Sequence, residues 1–210
     1  MDPRDHGAHL AERVEGRGCL CWQVEFFSTG KQPFDEPIEF LPTDQCQLSK
    51  PVARGRNGDI VRGAFIIDAH DREIIASRAV VNAGISGSNI RDIMLEAVER
   101  RFGGHRAPSV IEMLSDNGSP YIAKDTQIFA RHLGLKHCFT PVQSPQSNGI
   151  SEAFVKRLKR DYVQVTPLPD AQAVLGLIET WIEDYNDNHP HSGLKMRSPR
   201  EFIAAQTATA

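Results

Sequence analysis

The stretch NGDIVRGAFIIDAHDREIIASRAVV, residues 57–81, decides the fold. Asn57-Gly58 is a strong hairpin-turn signal, and the apolar run 60–67 that follows it predicts a buried strand. The polar residues 68–72 predict a turn, and residues 73–81 predict the next strand. Because the connections are short, these strands are expected to pair as part of an antiparallel meander.

Beyond residue 81 the spacing of apolar residues changes from the period of a strand to that of a helix. Strands are predicted at 110–114 and 135–142, and helices over 90–102, 124–133, 150–162, after Asp170 and after the capping box at Ser198. The first helix has Ser88 as its predicted N-cap and Gly103 as its stop. A meander followed by alternating helices and strands predicts an α/β fold with a mixed sheet of antiparallel and parallel strands.

The first quarter of the chain lacks such a pattern. Prolines at positions 3, 33, 37, 42 and 51 interrupt it, and residues 1–44 are expected to be mostly irregular. The predicted organisation is an irregular or degenerate N-terminal segment over 1–56, a core over 57–205 and a short tail over 206–210.

Composition excludes several classes of protein. With 210 residues, 40% of them hydrophobic and 24% charged, the chain fits a globular domain. It has no apolar run long enough for a membrane span and no secretion signal. Its four scattered cysteines do not form a disulfide scaffold, so a cytoplasmic location is expected. The net charge of −3 argues against binding nucleic acid through bulk charge but allows a local basic stripe at 156–160.

Two carboxylates, Asp116 and Glu152, lie at positions where a metal ion or another ligand could bind. Asp116 follows an apolar strand, and ligand crevices lie beyond the carboxyl ends of parallel strands, although Asp-Asn-Gly is also an ordinary turn. Glu152 lies in the first turn of a helix, where the dipole favours a negative charge. Lys156, Lys159 and Arg160 follow Glu152 at helical spacing, which indicates either a solvated face or a carboxylate beside phosphate-binding cations.

Three segments resemble the DDE transposases and integrases. LSDNGSPY (114–121) and SPQSNGISEAFVKRLKRDY (144–162) are similar to the second and third acidic motifs of that superfamily. Thirty-five residues separate Asp116 from Glu152, and YNDNHPHSGLKMRSPREF (185–202) resembles the segment that closes the core. The similarity is greatest to the orfB-type transposases of bacterial insertion sequences and more distant to retroviral integrases.

The resemblance implies an RNase H-like integrase catalytic core over 57–205 that cleaves DNA and transfers strands. It also implies two Mg²⁺ (or Mn²⁺) ions held by three carboxylates, two of them Asp116 and Glu152. Lys156, Lys159 and Arg160 would contact DNA. The expected partners are DNA, as element ends and target, further copies of the chain, and a separate DNA-binding subunit.

The third carboxylate is the departure from the family. The family places its first Asp about eight residues before Asn57-Gly58, where this chain has Ser49. Asp44 is the nearest upstream candidate, and Asp68 is a further one that is more typical of a turn. If no acid takes this place, the transposase is defective, and 1–56 would derive from a shifted reading frame or a degenerate element.

Two other functions stay open from the sequence: a catalytically inactive RNase H-like module that binds DNA or partner subunits, and an RNA-processing nuclease of the same fold. Two small clusters also admit metal-binding interpretations. His6 and His9 with Cys19 and Cys21 would make a zinc site, but the Cys-x-Cys spacing is poor for zinc and loop residues are favoured. His189-Pro-His191 is expected to be a surface loop rather than a metal site.

Overall fold

The computed structural model describes residues 19–26, 53–54, 59–139, 149–167 and 170–208, the first two segments by their backbone alone. The strands are β1 (Cys19–Phe26), β2 (Ala53–Arg54), β3 (Ile60–Asp68), β4 (Ile74–Val81), β5 (Ile111–Ser115) and β6 (Leu135–Phe139). The helices are α1 (Gly87–Phe102), α2 (Ser119–Ile122), α3 (Lys124–His132), α4 (Gly149–Leu158), α5 (Ala171–Asn188) and α6 (Pro199–Thr207). Within these ranges no helix is long and apolar enough to cross a membrane.

The strands form one mixed sheet in the order β4-β3-β1-β5-β6, with β2 also paired to β3. β3 is antiparallel to β4, to β1 and to β2, whereas β5 is parallel to both β1 and β6. The predicted α/β fold with antiparallel and parallel strands is confirmed.

β1 holds the central place in this sheet, between β3 and β5. The expectation of irregular structure over 1–44 is therefore wrong for Cys19–Phe26. Trp22, Val24 and Phe26 alternate with two polar residues, which is the period of a strand. The alternation covers too few residues to stand out from the aperiodic sequence around it.

Helices cover both faces of the sheet, and β3 supplies side chains to both. Ala64 and Ile66 pack with the buried face of α1, while Phe65 and Ile67 pack with α4 and α5. Successive strand residues point to opposite faces, so a strand buried on both sides becomes a continuous apolar run. This explains the apolar run 60–67 on which the fold prediction depended.

The helix ends agree with the sequence signals, with one exception. Gly103 ends α1 in a left-handed conformation (φ 71°), and Asp170 and Ser198 cap α5 and α6 as predicted. The N-cap of α1 is Ser86, not Ser88: Ser86 Oγ accepts a hydrogen bond from the Asn89 backbone, and the Asn89 side chain accepts one in return from the backbone of Ser86. This reciprocal pair satisfies two backbone donors at once, which a cap at Ser88 would not.

Candidate active site

Asp116 lies immediately after β5, at the carboxyl end of a parallel strand. Its Oδ1 accepts a hydrogen bond of 2.8 Å from the backbone N–H of Gly118. The predicted Asp-Asn-Gly turn is therefore formed, and the same bond fixes the direction of the carboxylate. Asp116 thus forms the turn and also lies at the strand end where a ligand could bind, so the two interpretations of this residue do not exclude each other.

The charge of Asp116 has no basic partner in the part of the chain that the structure describes. Burial raises the pKa of Asp116, and the Gly118 N–H only partly offsets this effect. A half-buried carboxylate without a counter-charge lowers the stability of the fold. Such destabilising groups are concentrated at functional sites, where a ligand or a metal ion supplies the missing charge.

Hydrogen bonds of the neighbouring Ser115 fix the backbone at Asp116. Ser115 Oγ lies 2.6 Å from His137 Nε2 on β6 and donates a 2.9 Å hydrogen bond to the carbonyl of Asp116. Burial lowers the pKa of His137 to about 4, so the ring is neutral at pH 7. The rings of Tyr121 and Phe139 pack against His137. Ser115 and His137 carry no recognisable motif, so sequence analysis missed them.

Glu152 is exposed in the first turn of α4, as predicted. The helix is anchored by Phe154, whose ring packs edge-to-face on Phe65 at 5.1 Å. At the N-terminal end of α4, Ile150 packs against Ala69, and Leu114 of β5 packs against the same alanine. Glu152 is two residues from Ile150, and Asp116 is two residues from Leu114. Ala69 is therefore a shared contact of the two elements that carry the predicted acids.

The basic residues of this helix do not lie in one regular α-helical column. Lys156 is exposed on α4, but residues Lys159–Val163 form a π-helical turn closed by the bond from Gln164 N–H to the Lys159 carbonyl. Such a turn rotates the residues after it relative to an α-helix. Arg160 is held by Asp161 through bonds of 2.5 and 2.8 Å, so the prediction that it contacts DNA requires it to leave this partner.

The other candidate metal ligands are either outside the described residues or already paired within the fold. Asp44 and Ser49 lie outside the described residues, as do His6 and His9. Asp68 is buried and accepts bonds from Arg101 and from the backbone of His70, so it is a paired turn residue.

Arg101 joins three acids at the β3–β4 turn. Besides Asp68 it binds Asp71 and Glu73, and Arg200 of α6 also approaches Glu73. Burial raises the pKa of both Asp71 and Glu73. These acids are engaged in ion pairs within the fold, which disfavours them as ligands of a metal ion.

No group of three or more metal-ligating side chains occurs among the described residues. The sequence of β1, the strand beside β5, carries no acid at the position that an extended register brings level with Asp116. Cys21 of β1 is level with Leu114, and continuing this parallel register by two residues places Gln23 level with Asp116. The nearest acid on β1 is Glu25, two residues further along.

Known proteins identify the fold and the family. Two profiles described as integrase core domain match residues 46–145 and 133–199. The insertion element IS136 protein of Agrobacterium fabrum is 68% identical over 151 residues, which cover 72% of this chain and 77% of that protein. The chain belongs to the integrase core domain family of insertion-element transposases.

Another relative of this integrase-core chain is the putative transposase InsD of insertion element IS2E in Escherichia coli. The two are 47% identical over 147 residues, which cover 70% of this chain and 67% of InsD. The matched segment spans 48% of the InsD transposase of IS2A/D/F/H/I/K. Two solved structures share the fold. The simian T-cell lymphotropic virus intasome has a TM-score of 0.55 and 17% identity, and the match covers 90% of this chain and 56% of that one. The Mos1 transpososome has a TM-score of 0.53 and 10% identity, and the match covers 85% of this chain and 52% of that one. The predicted RNase H-like class is confirmed.

Proposed function

We propose that this integrase core cleaves DNA and transfers strands with divalent metal ions bound by Asp116 and Glu152. The observation that carries the proposal is the half-buried Asp116, which ends a parallel strand without a basic partner in the described residues. Glu152 is supplied by the helix whose Ile150 packs on Ala69, the residue that Leu114 of that strand also contacts. Both positions belong to the motifs by which the sequence resembles DDE enzymes.

The donor chemistry fits a hard cation. Asp116 uses Oδ1 to hold its own turn, which leaves Oδ2 for an ion, and the exposed Glu152 has both oxygens available to solvent. Mg²⁺ and Mn²⁺ prefer such carboxylate oxygens and share their remaining positions with phosphate and water. Two bound ions would supply activation of the attacking oxygen and stabilisation of the leaving oxygen. A positive charge at this point would also offset the unfavourable burial of Asp116.

The substrate we propose is DNA, as element ends and target. Lys156 and Lys159 follow Glu152 on the same helical segment and would bind phosphates, which orients the DNA without reading its sequence. The two solved structures with this fold are named as an intasome and a transpososome. By analogy, we propose that the chain acts in the cytoplasm as an oligomer, and that another subunit recognises the element ends.

A strand-joining assay in Mg²⁺ tests the proposal directly. Asp116→Asn and Glu152→Gln should each abolish joining, because each removes a metal ligand and leaves shape unchanged. Asp92→Asn, at an exposed aspartate on α1, is the matched control and should join DNA like wild type. Equal joining by all four proteins would refute the assignment of Asp116 and Glu152.

A second candidate function is supported by the central strand, where the register extended beyond Cys21 and Leu114 brings Gln23, not an acid, level with Asp116. With two carboxylates the chain would be an inactive module that holds DNA or partner subunits. Calorimetry with Mn²⁺ separates the two functions, since an active site binds a pair of ions and a defective one does not. Asp44→Asn belongs in the same series, because loss of metal binding in that variant would identify Asp44 as the third ligand.

A further inference from the structure

Five polar side chains lie near the C-terminal end of α5: Tyr185 and four residues that contact its ring or act on its charge. We call them the Tyr185 cluster: Arg72 from the β3–β4 turn, Arg157 from α4, and Tyr185, His189 and His191 from the end of α5 and the segment after it. The ring of Tyr185 stacks on His189 at 5.3 Å and meets His191 edge-on at 5.2 Å. The two histidine rings are themselves 5.3 Å apart. The predicted surface loop is thus present, with Pro190 exposed, but its two histidine side chains are half-buried against Tyr185.

Three polar atoms in this cluster are buried without a hydrogen-bond partner. They are Nε2 of His189, Nε2 of His191 and Nη1 of Arg72. Buried polar atoms are almost always paired in folded proteins, because an unpaired one loses its hydration without compensation. Three unpaired atoms on residues that contact Tyr185 or act on its charge indicate that a ligand is their partner.

The positive charge of the cluster favours a ligand with negative charge. Arg157 donates a hydrogen bond to Tyr185, and Arg72 and Arg157 both act electrostatically on Tyr185 and His191. Two guanidinium groups that act on the same histidine oppose the binding of a metal cation by the imidazoles.

The nearest acids are already engaged. Asp161 binds Arg160, and Asp184 accepts bonds from Tyr162 and Asn188. Both acids act on His189, whereas no acid among the described residues acts on His191. The cluster therefore keeps an excess of positive charge and of hydrogen-bond donors.

We propose that the Tyr185 cluster is a binding site for one phosphate group. A phosphate offers only acceptor oxygens and negative charge, which matches two guanidinium groups and two imidazole N–H donors. We further infer that the phosphate belongs to a DNA backbone, and this step rests on the proposed function. Arg157 is five residues from Glu152, about 7.5 Å along the helix axis and about 140° around it, so a duplex bound at Glu152 would reach Arg157 with a neighbouring phosphate.

The test is a titration of the full chain with inorganic phosphate at constant ionic strength, followed by the NMR signals of the histidine ring protons. The signals of His189 and His191 should shift and saturate in the millimolar range, while exposed His105 and His132 stay unchanged. Arg72→Gln and Arg157→Gln should each weaken phosphate binding by about tenfold. Arg106→Gln, at an exposed arginine before β5, is the matched control and should bind like wild type.

A short DNA duplex then distinguishes the source of the phosphate. If the duplex shifts the same two histidine signals and displaces inorganic phosphate, the DNA assignment holds. If phosphate binds and the duplex does not compete, the site takes a free phosphate and the DNA step is wrong. No saturable shift of His189 or His191 in folded wild type would overturn the site itself. Strand joining by the Asp116 and Glu152 variants is a separate readout, so failure of either proposal is recognised independently.

Discussion

Asn186 clamps the backbone of Ile74 with two hydrogen bonds across 112 residues of sequence. Its Oδ1 accepts from the Ile74 N–H at 2.8 Å, and its Nδ2 donates to the Ile74 carbonyl at 3.0 Å. Ile74 begins β4, which lies at the margin of the sheet, and Asn186 is fully buried on α5. One amide side chain thereby pairs a strand edge that would otherwise be buried without partners.

Replacing Asn186 with Ala should therefore destabilise the fold strongly. The change leaves one buried N–H and one buried carbonyl unpaired, and each costs about 1–3 kcal/mol. Chemical denaturation should show a loss of about 2–4 kcal/mol in the free energy of unfolding. Asn188→Ala is the control: this exposed asparagine bonds only Asp184 on its own helix, and its loss should cost less than about 0.5 kcal/mol.

Asp116→Asn is expected to stabilise the protein while removing its activity. The folded state buries the Asp116 charge without a basic partner among the described residues, whereas asparagine keeps the bond to Gly118 and carries no charge. Gains at such functional positions are typically about 0.5–2 kcal/mol. Thermal unfolding at pH 7 without metal should show a higher Tm for the variant, and Mg²⁺ should raise the Tm of wild type only.

The pH dependence of this difference follows from the direction of the pKa shift. Burial raises the pKa of Asp116 above its ordinary value of 3.8. Its contribution to stability is complete below pH 3.8 and is lost as the pH rises through the higher pKa of the folded state. The advantage of Asp116→Asn should therefore be absent in acid and grow toward neutral pH. An advantage that is constant with pH would show that the charge is not its cause.

Local patterns allowed much of the fold to be predicted. Val61 and residues 64–67 of the apolar run are buried as predicted, and so is the stripe along α5 that includes Val174, Ile178 and Trp181. These signals are strong because each residue faces the core at a fixed spacing. The same holds for Gly103, Asp170 and Ser198, whose chemistry at helix ends is local.

What could not be predicted depends on contacts between distant segments. β1 is recognisable as the central strand only once β3 and β5 lie on either side of it. The Ser115–His137 bond and the pairing of Asp68 with Arg101 join residues 22 and 33 positions apart. No spacing rule connects such pairs, because the fold alone sets their distance.

Gln23→Asp should create the missing metal ligand. If the register of β1 on β5 continues for two residues beyond its last pair, Cys21 and Leu114, position 23 is level with Asp116, and we expect an acid there to add a ligand for the proposed ion. Mn²⁺ affinity measured by calorimetry should increase at least about tenfold, the scale on which single groups at metal sites act. Gln23→Asn keeps the size and hydrogen bonding of a neutral amide and should bind Mn²⁺ like wild type. If both variants bind equally, position 23 does not face the metal.

Lys156 and Arg160 should differ in their contribution to DNA binding, although both are exposed cations on one helical segment. Lys156 has no ion pair with another described residue, whereas Arg160 is neutralised by a bidentate contact with Asp161. Lys156→Ala should reduce the slope of log affinity against log salt by about one, as expected for one lost phosphate contact. Arg160→Ala should change that slope much less, because its charge is already compensated. The measurement is fluorescence anisotropy with a duplex at several salt concentrations, and an equal loss in both variants would show that Arg160 leaves Asp161 to bind phosphate.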